Sequence, residues 1–354
     1  MATSLTTTIP ASCMSSQLPD IVWSTSAVSL TVGLWDANGD TRFVEVTLTA
    51  VSGSVKLWEV REAVERRMRS ANEQRMNLRV QWKEPSAESW SSQAVRVHYC
   101  DIEMDGSADT WLTTHFLTTQ AWKPLPLDGR TETLSFYHPT TGVDVSAELM
   151  AVCRHANGVV RAYELPGQET VLSVDQVQTY SWTLADMQEL ADEEAGEAVE
   201  IAAVTIRVGQ RVMNYYRSPS PNLVMGFRNC FNVAEWAALN CATKRKVKDE
   251  RKQAMVARNA TLYDPHRTVE YEVQTAALSM SHALWLDQLL TSHSAWLADG
   301  TAVVITDGEM AASDDNAVLN TCKFTWRRAS GRAHIVVETP DDGIFTDEFT
   351  YQFN

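Results

Sequence analysis

The sequence predicts a mainly β fold: two antiparallel β-sandwich-like domains, each with about one flanking α-helix, and a long β-hairpin arm in the second. Three observations carry this. Short alternations of apolar and polar residues recur along most of the chain, broken every ~8 to 12 residues by Gly or Pro. Only two stretches, 54–69 and 281–291, place apolar residues at helical spacing. Finally, 242–277 joins a dense basic run to a strand pattern, with Val269, Tyr271 and Val273 alternating with polar residues.

A length of 354 residues is too long for one ordinary core and suggests roughly two domains. Residues 1–20 are rich in Ser and Thr and are expected to be a mobile tail or an arm that orders on assembly. The N-terminal sandwich is expected over 21–185, an acidic junction over 186–200, and the second β domain over 201–354.

Taken in order, Val28–Trp35 and Arg42–Thr49 read as strands around Asp36–Asp40, where Asn38-Gly39 signals a tight turn. In 54–69, Leu57, Val60, Val64 and Met68 recur on one helical face. Further strands are expected near 76–83, 94–101, 111–117, 131–137, 145–153 and 158–164. In the second half, strands at 199–208 and 211–216 turn about Gly209, followed by Asn222–Phe231 and the arm, 242–277. A helix at 281–291 has Ser279 or Ser281 as its cap. Closing strands are expected at 302–306, 319–327, 333–337 and 345–353. Over 235–256 good helix formers compete with the strand pattern, and the strand reading is kept.

The net charge is −15, yet Lys244, Arg245, Lys246, Lys248, Arg251, Lys252 and Arg258 face only Asp249 and Glu250 in their stretch, a local +5. The rest of the chain therefore sums to −20. Such a balance argues against nucleic-acid wrapping by the whole protein and against sequence-specific nucleic-acid binding. No apolar run approaches the length that crosses a bilayer, and the N-terminus lacks the features of a secretion signal, so a protein kept in a cytosol until assembly is expected.

Candidate chemistry is sparse. Six dispersed cysteines (13, 100, 153, 230, 241, 322) form no Cys-x-x-Cys pair and read as buried thiols. Asp101–Asp109 starts like a calcium loop, but its twelfth position is Leu112 rather than Glu. Cys153 and His155 share a strand face without an orienting third group. Asp314-Asp315 and Asp341-Asp342 read as solvated turns, and the Asn259-Ala-Thr261 acceptor has no secretory context. No phosphate loop, nucleophile elbow or His-Glu-x-x-His motif occurs. No catalytic residue, metal or cofactor is expected. The twelve tryptophans read mainly as core and interface, with a sugar-stacking platform as the alternative.

The order Tyr215-Tyr-Arg-Ser-Pro-Ser-Pro-Asn222, Phe227-Arg-Asn-Cys-Phe-Asn-Val233, the charged arm, Trp285-Leu-Asp-Gln-Leu-Leu-Thr-Ser292, Val304-Ile-Thr-Asp307, Asp314-Asp315 and Phe324-Thr-Trp-Arg327 resembles tail-associated structural proteins, of the distal tail or baseplate kind, from phages and prophages of Bacteroidales. The likeness covers the last 140 or so residues well and the first 200 loosely. It implies a β-sandwich with one helix and a long hairpin that reaches a neighbouring subunit in a closed ring, a hexamer or trimer. It also implies a virion location, assembly in the bacterial host cytoplasm, and other phage tail proteins as partners, with a host surface as a further candidate. Ring contacts are heterologous, and opposite charges on the two surfaces favour the correct neighbour. The basic residues Lys244, Arg245, Lys246, Lys248, Arg251 and Lys252, with Glu189, Glu193, Glu194 and Glu197 of the acidic block, are the candidate oligomer interface. Exposed ion pairs contribute only ~0 to 1 kcal/mol each, so they orient partners while buried apolar area supplies affinity. The alternative function is a β-sandwich adhesin or carbohydrate-binding module.

Overall fold

A computed structural model describes residues 3–127, 129–138, 146–167, 175–218, 221–256, 259–311 and 319–330. Strands dominate it, and the mainly β expectation holds. Four helices occur among the described residues: α1 (Val60–Ala71), α2 (Ala108–Thr114), α3 (Leu184–Ala195) and α4 (Met280–Thr291). Buried apolar side chains gather in three large clusters, drawn from 9–99, 116–215 and 225–326, and a smaller one that joins them. The second cluster thus draws on residues to both sides of 186–200.

The first cluster lies among a five-stranded sheet, in the order Ser12–Met14, Ser91–His98, Arg75–Lys83, Ser29–Asp36, Thr41–Thr49, a three-stranded sheet and α1. The turn at Asn38-Gly39 forms where it is expected, and the buried Asp36 carboxylate accepts from Asn38 N at 3.0 Å. Two expectations fail here. The N-terminal stretch is not a tail: Ile9, Cys13, Met14 and Leu18 are buried, and Ser12–Met14 pairs in parallel with Arg96–His98. Its hydroxyls suggested solvent, but Ser15 Oγ bonds both backbone groups of Cys100. The helix expected over 54–69 starts later. Ser54–Leu57 is a strand paired with Ile21–Ser24, and α1 buries Val60, Val64 and Met68.

The second cluster lies under the sheet Val160–Leu165, Ala147–Arg154, Glu200–Val208, Arg211–Tyr216, Trp122–Pro124, with the ribbon Thr131–His138 and Gln176–Thr183 opposite. The strand expected at 111–117 is helix α2. Ser107 caps it by accepting from Thr110 N, and Ala108 and Leu112, four apart, bury on one side. The acidic block expected as a junction at 186–200 is mostly α3, capped by Thr183 and stopped by Gly196 in the left-handed region, with Met187 and Ala191 in the core.

The third cluster fills a seven-stranded sheet, Ala234–Leu239, Leu223–Arg228, Ala295–Leu297, Ala302–Ala311, Thr321–Arg328, Asn259–Thr275, Cys241–Val256. Its first and last strands are consecutive in the chain, with Asn240 alone between them, so the two edges meet at one corner and the sheet curls on itself. Asn222 holds that corner: its side chain accepts from Cys241 N at 2.9 Å and donates to Cys241 O at 2.5 Å. α4 packs Trp285, Leu286 and Leu289 into the curl, capped by Ser279 as anticipated. The strand reading of 235–256 is correct, broken at Asn240. The strands expected at 333–337 and 345–353, and the pairs Asp314-Asp315 and Asp341-Asp342, lie outside the described residues.

Candidate functional site

The hairpin arm is Cys241–Val256 against Asn259–Thr275, in register from Cys241↔Thr275 to Val256↔Asn259 with one bulge at Lys252/Gln253. Its base belongs to the body, where Tyr271–Gln274 pair with Lys323–Trp326 and Val273 and Thr275 are buried. Among the described residues, the strand from Asn259 to Glu270 pairs with its hairpin partner alone, a reach of about 40 Å at the usual rise per residue.

Residues directly opposite in an antiparallel pair share a face, which gives the arm two unlike sides. One carries Lys244, Lys246 and Lys248 opposite Glu272, Glu270 and Thr268. There Lys246 Nζ lies 2.9 Å from Glu272, and Lys248 Nζ lies 2.8 Å from Glu270. The Lys246 hydrogen bond holds the Glu272 carboxyl below its ordinary range. The other side carries Arg245 opposite Tyr271 and Val247 opposite Val269. It continues the core-facing stripe of Val273 and the Tyr271–Trp326 stack, rings 4.3 Å apart, out past the body. Val247 is exposed there.

Charge counting alone missed this division: Lys246 and Lys248 are matched by glutamates of the returning strand, and the apolar stripe with Arg245 lies on the other side. The strand alternation at 269–273 was the available clue. The side chains of Arg251 and Lys252 lie outside the described residues.

On α3, Asp186, Glu189 and Glu193 recur at helical spacing as an exposed stripe, with Glu194 beside it and Glu197 just past the helix end. Among the described residues no ion pair joins this stripe to the arm of the same protomer. Glu197 bonds His155 Nδ1 at 2.5 Å, while His155 Nε2 contacts the Tyr163 hydroxyl at 2.8 Å. Glu197 is therefore the orienting group that sequence spacing did not provide for His155. Burial raises the Cys153 thiol, the wrong direction for a nucleophile.

A second polar centre, not foreseen from sequence, joins the second and third clusters. Lys123 is buried, 2.9 Å from Glu132 and 3.2 Å from Glu235. The other Glu235 oxygen accepts from Asn229 Nδ2 and Trp285 Nε1, both at 2.9 Å. Burial works to lower the Lys123 ammonium, but the two carboxylates outweigh it and raise it above its ordinary value. A 510 Å³ cleft opens above, lined by Lys123, Pro124, Leu125, Arg130, Glu132 and Trp236, with the Arg130 guanidinium 5.2 Å from the Trp236 ring centre.

No group of three or more His, Cys, Asp or Glu among the described residues has the arrangement of a metal site. The Asp101 carboxylate of the calcium-like loop instead accepts from the Tyr99 hydroxyl at 3.1 Å. Comparison with protein-family models and with curated proteins gives no match.

Proposed function

We propose that this chain is a non-enzymatic structural subunit of a phage tail or tail-like particle, of the distal tail or baseplate kind, that assembles with copies of itself and connects tail parts. The observation that carries this reading is the two-stranded arm whose outer length has no third strand among the described residues and whose apolar side includes the exposed Val247 beside the half-buried Val269. An isolated two-stranded ribbon is marginal in water, so a neighbour that covers the stripe stabilises both. Arg245 then meets the acidic stripe of α3 on the next copy, a heterologous contact of the kind that closes rings.

The glycan-binding alternative has less support, because Trp58 alone among the twelve tryptophans is exposed and a lone ring makes no platform. Light scattering after size exclusion, with negative-stain images, tests the assembly reading. The full chain is expected as a ring, and a variant in which Asn-Gly replaces 246–270, which removes Val247 and Val269, is expected as a folded monomer. A full chain that stays monomeric at high concentration, alone and with tail-tube partners, overturns it.

A further inference from the structure

The small cluster that joins the three large ones contains two cysteines, Cys100 and Cys230, both buried and both free thiols. They come from distant parts of the chain. Cys100 follows the strand Ser91–His98 of the first sheet, and Cys230 follows Leu223–Arg228 of the third. The backbone brings them together: Asp101 N donates to Cys230 O at 3.1 Å, and Cys230 N donates to Gln288 Oε1 of α4 at 3.1 Å. The neighbouring Cys230 side chain is the main influence lowering the Cys100 thiol, while burial raises that of Cys230.

A buried thiol is inert unless a reagent reaches it. Beside Cys230 lies a 220 Å³ cavity, lined also by Asp101, Arg228, Asn229, Asp287 and His293. That space exceeds what a water-sized oxidant needs. Two other buried cysteines are held as thiols: Cys13 is pushed up to about 12 by burial and then Asp109, and Cys322 to about 12 by burial and then Asp287.

We propose that Cys100 and Cys230 are a disulfide site, reduced when the chain is made and closed by a small peroxide, which staples the first sheet to the third. The first of the two sulfurs that the peroxide reaches attacks, as thiolate, one oxygen of hydrogen peroxide; the O–O bond breaks, hydroxide leaves and a sulfenic acid forms. The other sulfur attacks that sulfur, the S–S bond forms and water departs. Two thiols and one peroxide thus give one disulfide and two waters. The bond closes a loop longer than a hundred residues, a length at which a crosslink restricts the unfolded chain strongly. The proposal is independent of the phage reading.

The test uses the full-length chain, treated with hydrogen peroxide, alkylated after unfolding and digested without reductant. The expected product is a peptide pair joined through Cys100 and Cys230, with a Tm at least ~5 °C above the dithiothreitol-treated sample. Cys230→Ser should abolish the shift, and Cys153→Ser, in another core, should keep it. The wild-type peptide map decides the matter even if Cys230→Ser folds poorly. Recovery of both cysteines as alkylated thiols, or crosslinks only between other cysteines, overturns the proposal.

Discussion

Lys246 and Glu272 meet across the hairpin arm, ammonium and carboxylate 2.9 Å apart, on strands that belong to one ribbon. The pairing neutralises one face of the arm from within, leaving Arg245, Val247, Val269 and Tyr271 to define the other. The cationic run is thus less a bare positive surface than a charged back to an apolar front.

The arm's two faces should therefore respond differently to substitution. Val247→Asp is expected to weaken self-association at least tenfold, because it puts a carboxylate into the stripe a neighbour covers. Lys246→Gln should change association less than threefold. Concentration-dependent sedimentation distinguishes the two.

Charge reversal tests the acidic partner. Arg245→Glu should weaken assembly, and Glu193→Lys in the same chain should recover part of the loss, since both substitutions invert one proposed contact. Loss with no recovery, measured by light scattering, would move the docking surface away from α3.

The Lys123 centre should matter for stability. Lys123→Met leaves Glu132 and Glu235 facing each other without a cation, Glu235 buried and Glu132 only 12% exposed. Breaking such a pair from one side costs about 3 to 5 kcal/mol, readable as a lower urea midpoint at unchanged slope. Adding Glu132→Gln should restore part of it.

His98 gives the pH dependence its sign. Burial, then Arg75 and Arg96, push its imidazole down to about 4, while Asp109 and Asp175 oppose this only partly. The unfolded chain titrates near the ordinary ~6.5. Between those values the unfolded state binds the extra proton, so stability falls as pH drops from about 6.5 towards 4, by on the order of 3 kcal/mol. His98→Gln should flatten that part of the profile in pH-dependent denaturation.

Several elements were legible because a local rule dictated them. Asn38-Gly39 fixed its hairpin, Ser279 fixed the start of α4, and the alternation at 269–273 marked the arm. Where tertiary contacts decide, local reading failed. Residues 3–24 join a core because Ser15 and the strand at 12–14 find partners about 85 residues away. The stretch 111–117 alternates like a strand, yet a Ser107 cap and burial of Leu112 make it helical. Arg211 secures that helix: buried, and lowered to about 10 by burial, it donates to the Leu112, His115 and Tyr137 carbonyls. Nothing near Arg211 in sequence announces this. The Lys123 centre was hidden for the same reason, as its three charges come from three separate strands.

Placing a photo-cross-linking residue at Val247 in a mixture of light- and heavy-isotope chains tests the grip on a neighbour most directly. Mixed-isotope links from position 247 to a peptide of the second copy, within 186–200, are the predicted result. Links found only within single chains would contradict it.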